Sequence, residues 1–164
     1  MTSAHTDDRE EHEKLPLSKA AEFLLDECRM VLPGIQALFG FQLIAVFSPG
    51  FSEKLDDREQ ALHVLAIAFV AIAVALIMTP AALHRQAGSR DVSDTFIRVS
   101  TWLLLLSMLP LAASICLDFY LIARLVFGNE IARLSAVGLF VFFVVMWFVF
   151  PRARRLHGSL SKKR

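Results

Sequence analysis

Asp118 is a carboxylate at the edge of a long apolar segment, in the run Ile-Cys-Leu-Asp-Phe-Tyr. A carboxylate inside a membrane commonly marks a proton or ion pathway. Asp118 follows Arg98 by 20 residues, which is about 30 Å along a helix and therefore about one hydrocarbon thickness. His63, in the first turns of another apolar segment, falls at a similar depth. We therefore expect Asp118 at a membrane interface, paired with His63, Arg124 or water, and not at the midplane.

Two glutamines, Gln36 and Gln42, lie inside the first apolar segment. An amide in hydrocarbon needs a hydrogen-bond partner, so these side chains either line a polar pathway or hold helices together. Gln36 and Gly40 share a helix face at a spacing of four residues, which favours a close helix contact there. We favour the packing role for both glutamines.

Charged and imidazole side chains also cluster near the predicted cytoplasmic interface: Glu27, Arg29, His84 and Arg85. Glu27 is in reach of Arg85 if both segments end on the same side of the membrane. We favour a structural ion pair with lipid-headgroup contacts over a functional site.

Motifs that carry enzymatic chemistry are absent from the sequence: there is no HExxH, GxSxG, P-loop or CxxC. Cys28 and Cys116 are far apart, which indicates free thiols. His63 and His84 are expected on opposite sides of the membrane and cannot share a metal. The sequence therefore predicts no enzyme activity, no catalytic residue, no cofactor and no metal site.

The segments that position these residues are four stretches without Asp, Glu, Lys or Arg, of 23, 25, 19 and 18 residues. A helix needs roughly 20 mostly apolar residues to cross a bilayer core. The sequence therefore predicts an all-α membrane protein, with four transmembrane helices in one bundle. The predicted spans are about 31–47, 61–82, 96–119 and 131–150, within a bundle of residues 33–151.

The chain before the first span divides into two parts. Residues 1–16 are acidic and polar, which predicts disorder because they have little apolar surface to bury. Residues 17–32 carry apolar side chains at helical spacing, which predicts a short amphipathic helix on the membrane surface. Pro33-Gly34 is expected to break the helix at the start of the first span.

The basic residues predict the orientation of the spans. Thirteen Lys and Arg residues fall on the side of the two termini, in the N-terminal segment, the second loop and the tail, against four on the other side. This asymmetry predicts that both termini are cytoplasmic, and the family resemblance described below implies that the membrane is a bacterial inner membrane. The basic tail, 152–164, is expected to bind anionic lipids and not nucleic acid, because it begins directly after a span.

The stretch 24–85 resembles an uncharacterised family of small bacterial four-span membrane proteins, and the C-terminal half is similar to it in hydropathy and charge placement. The resemblance implies four transmembrane helices, and some members carry a sodium:proton antiporter label. The residues that carry it are Glu27, Arg29, Leu32-Pro33-Gly34, Gln36, Leu38-Phe39, Phe41, Phe47, Phe51, Leu55, Ala61-Leu62, Pro80-Ala81 and His84-Arg85.

Two functions follow from these observations. The first is a structural or accessory membrane component that works through helix packing, lipid contact and a partner, either a second copy or another membrane protein. The alternative is a cation or proton transport module that acts as an oligomer. The criterion between them is whether Gln36, Gln42 and Asp118 line one connected polar cavity.

Overall fold

The structure is a computed structural model that describes residues 17–87 and 94–152. Helices account for nearly all of these residues. The elements are α1 (Leu17–Val46), α2 (Pro49–Lys54), α3 (Asp57–Ala87), α4 (Asp94–Phe127) and α5 (Asn129–Val144), followed directly by a π-helical turn (Val145–Val149). The predicted disordered segment 1–16 and the basic tail beyond Arg152 lie outside the described residues.

Four of these helices are long and apolar enough to cross a membrane: Lys19–Val46, Asp57–Gln86, Thr95–Phe127 and Asn129–Arg152. The predicted all-α fold with four transmembrane helices in one bundle is therefore confirmed. The helices of the last three spans extend beyond the predicted spans at both ends, whereas α1 extends only at its N-terminal end.

The predicted boundary at Pro33-Gly34 is wrong. Pro33 lies inside α1, which is continuous from Leu17 to Val46, so residues 17–32 are the first half of a long helix and not a separate surface helix. Pro80 likewise lies inside α3 and does not end it. A proline removes one backbone donor, whereas a break within hydrocarbon would leave several backbone groups without partners.

A seven-residue repeat of buried positions explains how the helices pack. In α1 the buried residues Ala21, Cys28, Ile35 and Gln42 are seven apart, and the repeat continues across Pro33. Such a repeat keeps one helix face against its neighbours, as in left-handed bundles. The buried residues of α3 alternate spacings of four and three: Glu59, His63, Ala66, Val70, Ala73, Ile77 and Pro80.

Small side chains let α3 and α4 approach closely and form the central pair of the bundle. On α4, Ser100, Ser107 and Ser114 are buried at seven-residue intervals. α1 packs on α3 and, to a lesser extent, on α4, whereas α5 packs mainly on α4. The middle of the bundle is apolar and is built around Cys28, Ile35, Val70 and Ile77.

One end of the bundle, here called the α2 end, contains α2, the start of α3, the end of α4 and the start of α5. α2 corrects the expectation of an irregular loop, because residues 49–54 form a short helix with a proline at its first position, where proline is favoured. Gly128 alone connects α4 to α5, and its φ of 82° is a left-handed conformation that favours glycine.

Candidate functional site

Four polar side chains from three helices meet inside the bundle near the α2 end, and we call Gln42, His63, Ser114 and Asp118 the polar cluster. The Gln42 amide nitrogen donates to Ser114 Oγ at 2.8 Å and to Asp118 Oδ2 at 2.6 Å. His63 Nδ1 lies 3.1 Å from Asp118 Oδ1, and His63 Nε2 lies 2.9 Å from the backbone oxygen of Gln42. The cluster therefore joins α1, α3 and α4.

Regular helix geometry brings these residues together. Ser114 and Asp118 are four residues apart on α4 and so lie on one face. Gln42 occupies the last position of the buried repeat of α1, and His63 the second position of the buried stripe of α3. Because the C-terminal parts of α1 and α4 lie beside the start of α3, the four side chains fall at one level.

The contacts of His63 fix the orientation of its ring. A backbone carbonyl can only accept, so Nε2 carries a hydrogen and donates it to the Gln42 oxygen. Nδ1 faces Asp118 Oδ1. Each carboxyl oxygen of Asp118 therefore has a polar partner within the protein, which lowers the cost of burying the group.

Ser, His and Asp also form the triad of many hydrolases, but their connections differ here. In such a triad one histidine nitrogen contacts the nucleophilic hydroxyl and the other contacts the carboxylate. Here His63 Nε2 faces a backbone carbonyl and the Ser114 hydroxyl contacts Gln42. Neither nitrogen of His63 contacts Ser114. The arrangement is instead a set of hydrogen bonds that connects three helices.

An ion pair lies beside the polar cluster at the α2 end. Glu59 and Asp56 form the predicted capping box of α3, with reciprocal backbone-to-side-chain bonds of 3.0 and 2.9 Å. Glu59 also pairs with Arg124 of α4, and its side chain is only 5% exposed. Glu59 therefore caps its own helix and fixes it to the end of α4.

A cleft of about 530 Å³ opens next to the polar cluster, between α1, α2 and α4. Its walls are mostly apolar, with Gln42, His63 and Asp118 on one side and Lys54 among the other lining residues. Phe51 of α2 packs its ring edge against His63 with the centroids 5.3 Å apart. Phe51 therefore packs over the cluster on the side of α2.

The predicted interaction of Asp118 with His63 is present, and Gln42 connects α1 to α4 through two hydrogen bonds. Gln36 does not join them. It is exposed on α1, and a Cβ added at Gly40 would meet no atom within 4 Å. The predicted close contact at Gln36 and Gly40 is therefore absent from the described part of the chain, because that face of α1 points away from the other helices.

The four residues predicted at the other interface do not form a joint site. Arg29 contacts Asp26 at 3.4 Å, and the ring of His84 lies 5.8 Å from that of Phe96. Glu27 and Arg85 are both exposed, and the ion pairs of the described residues include none between them.

Sequence reasoning missed Ser114 and the Glu59–Arg124 pair. The signal for Ser114 was its place in the seven-residue serine repeat, four residues before Asp118. The signal for the ion pair was weaker, since the two residues are simply charges near the same end of two antiparallel helices. Over residues 17–87 and 94–152, no group of three His, Cys, Asp or Glu residues is arranged to hold a metal ion.

The fold and the cluster define a class, an all-α membrane protein in which buried polar contacts join three of the four spans. The chain belongs to a family of unknown function (DUF6328), which it matches over residues 10–151. The match extends well beyond the stretch 24–85 whose motifs carry the resemblance. No curated protein and no solved structure matches the chain.

Proposed function

We propose that this protein is a structural or accessory component of a bacterial inner membrane, with both termini in the cytoplasm and no enzymatic activity. The observation that carries the proposal is the closed polar cluster. Both nitrogens of His63 and both carboxylate oxygens of Asp118 have partners within the protein. Groups bonded in this way stabilise a helix arrangement and are not available to a substrate.

The apolar middle of the bundle supports the same function. Below the polar cluster the core consists of Cys28, Ile35, Val70 and Ile77. The buried serines of α4 are seven residues apart, about 10 Å along the helix, so their hydroxyls do not contact one another. Since Gln36 also lies outside, the polar groups of one copy form no connected path across the described bundle.

Labelling of introduced cysteines tests the orientation. Single cysteines at Ser3, Ser161 and Ser52 are introduced into a background with Cys28→Ala and Cys116→Ala. An impermeant maleimide applied to intact cells is expected to label only Ser52→Cys, which lies on exposed α2. Labelling of Ser3→Cys or Ser161→Cys would contradict a cytoplasmic location of the termini.

A second copy of the chain is the partner that we propose. Gln36 is exposed on a helix that contributes few buried residues, and Gly40 leaves open space four residues further on. An amide in hydrocarbon needs a partner, and two glutamines satisfy each other because each has a donor and an acceptor. A symmetric contact between two α1 helices would pair them, and Gly40 would permit close approach.

Transport of a cation or proton by an oligomer is the second candidate function. The observation that favours it is the His63–Asp118 pair, which places an imidazole and a carboxyl group in contact beside a cleft. Proteoliposomes with a pH gradient distinguish the two functions. The structural function predicts no sodium flux above that of empty vesicles, whereas flux that disappears in a folded Asp118→Asn variant would establish the transport function.

A further inference from the structure

A groove between α4 and α5, at the end of the bundle opposite α2, has a composition that differs from the other clefts. Its volume is about 490 Å³. Both tryptophans of the chain, Trp102 and Trp147, line it, together with two arginines, Arg98 and Arg152. We call it the tryptophan groove. The other lining residues are Thr101, Leu105, Leu106, Leu109, Phe148 and Pro151.

The charges of the groove are all of one sign. No Asp or Glu lines it, and the ion pairs of the described residues involve neither Arg98 nor Arg152. Both arginines are exposed, and both lie at a helix end, near the start of α4 and after the π-helical turn. Among the side chains that the structure describes, no carboxylate neutralises the two guanidinium groups at one end of the groove, and leucine side chains run along its length.

The π-helical turn, Val145–Val149, lies at the level of this groove. The backbone N–H of Phe150 donates to the oxygen of Val145, a spacing of five residues. An inserted π turn rotates everything that follows it, and such turns are frequent at functional sites. Trp147 and Phe148 belong to this turn and Arg152 follows it, so the turn sets the direction of the side chains on the α5 wall.

We infer that the tryptophan groove binds one anionic phospholipid, with its phosphate between Arg98 and Arg152 and an acyl chain along the leucines of α4. Basic pockets between membrane helices bind anionic headgroups, and guanidinium groups match phosphate oxygens geometrically. Tryptophan is favoured at the level of the headgroups. The inference rests on the proposed location in the membrane, and it assigns the lipid to the groove and not to the basic tail.

Tryptophan fluorescence reports on this groove directly, because the chain has no tryptophan elsewhere. The protein is reconstituted into equal mixtures of phosphatidylcholine and phosphatidylglycerol in which only one lipid carries brominated, quenching acyl chains. The two samples therefore have the same lipid composition and differ only in which lipid carries the bromine. We expect stronger quenching when phosphatidylglycerol carries the bromine, with an enrichment of roughly fivefold for each close arginine.

Variants that remove one charge each show which residues cause the preference for phosphatidylglycerol. Arg98→Gln and Arg152→Gln are each expected to reduce the enrichment, and the double variant is expected to abolish it. Arg58→Gln removes an exposed charge at the α2 end and serves as the matched control that keeps it. Trp102→Phe and Trp147→Phe each leave one reporter, and brominated phosphatidylglycerol is expected to quench the remaining tryptophan in both variants if the lipid lies between the two walls.

Three outcomes would overturn the inference. Equal quenching by the two labels in the unmodified protein would show that the groove does not select anionic lipid, and this result does not depend on any variant folding. A preference that survives in the double variant but disappears in Arg154→Gln/Arg155→Gln would assign the lipid to the tail. Absence of quenching by either label would contradict membrane insertion itself, and with it the proposed function.

Discussion

At the scale of single residues, the polar cluster buries side chains that would be unfavourable alone. Their hydrogen bonds offset this cost and connect three helices. Asp118 alone would be costly in this environment, and His63 alone would leave a nitrogen without a partner. Together with Gln42 they provide hydrogen-bond partners for one another. In the described chain, two buried side-chain atoms have no hydrogen-bond partner, namely Gln42 Oε1 and Ser100 Oγ. The stability of the α2 end should therefore depend on each member.

Asp118→Asn is expected to lower the free energy of unfolding by about 1–3 kcal/mol, because replacing the carboxylate by a neutral amide removes the charge that strengthens its hydrogen bonds with Gln42 and His63. Thermal unfolding of the purified protein in detergent measures the change. Asp57→Asn, at an exposed position on α3, is the control. An Asp118→Asn variant as stable as the unmodified protein would contradict the structural role of the cluster.

Glu59 and Arg124 are expected to be coupled by about 1 kcal/mol in a double-mutant cycle, because Glu59 is buried while Arg124 retains partial access to solvent. Glu59→Gln is suited to this measurement, since glutamine also serves in a capping box and only the charge is lost. Arg124→Gln completes the cycle. Additive effects of the two substitutions on unfolding in detergent would show that the pair contributes no interaction energy.

At the scale of elements, backbone conformation separates two glycines that have equal space around them. A Cβ at Gly128 or at Gly138 would meet no atom within 4 Å. Gly128 has a φ of 82° in the link between α4 and α5, whereas Gly138 lies inside α5. Any difference between substitutions at these positions therefore reports on backbone conformation and not on packing.

Gly128→Ala is expected to destabilise the protein by about 1–2 kcal/mol, the cost of a left-handed conformation for an L-residue. Gly138→Ala is expected to be neutral or to stabilise by up to about 1 kcal/mol, because alanine favours a helix interior. Unfolding midpoints of the two variants give the comparison. If Gly128→Ala were the more stable of the two, the assigned turn would be wrong.

Helix number and helix caps were predictable from the sequence, whereas helix continuity was not. The uncharged stretches are long enough to define four spans, and Asp56 with Glu59 defines the start of α3. Pro33 led to the wrong prediction because proline removes one backbone hydrogen bond from a helix. A break of the helix in hydrocarbon costs more, because it leaves several backbone groups without partners. Part of the polar cluster was predictable, because the expected depth of Asp118 in the membrane matched that of His63. No local sequence pattern shows that Gln42 lies on the buried face of α1 and Gln36 on the exposed face.

At the scale of the whole molecule, the helices differ greatly in how much of their surface other helices cover. α3 and α4 are central, whereas α1 and α5 each leave a broad face to the bilayer or to a partner. Gln36 on α1 and the tryptophan groove beside α5 distinguish these two faces by chemistry. The first suits a second copy, and the second suits a lipid.

Gln36→Leu is expected to weaken self-association in detergent or bilayers by about 1 kcal/mol, within the range measured for polar contacts between membrane helices. Energy transfer between labelled copies at graded dilution measures this. Gln86→Leu makes the same chemical change at the exposed end of α3 and should leave association unchanged. Identical dilution curves for Gln36→Leu and the unmodified protein would exclude pairing through this amide.

The link of one residue between α4 and α5 has a consequence for biogenesis. Because Gly128 is the whole link, we expect the two helices to enter the bilayer together as a helical hairpin. At the tip of that hairpin Glu130 pairs with Arg133, and Tyr120 donates to Asn129 at 2.7 Å. With the proposed cytoplasmic termini, translocation of the tip moves Glu130 and Arg133 across the hydrocarbon as a compensated pair and not as two separate charges.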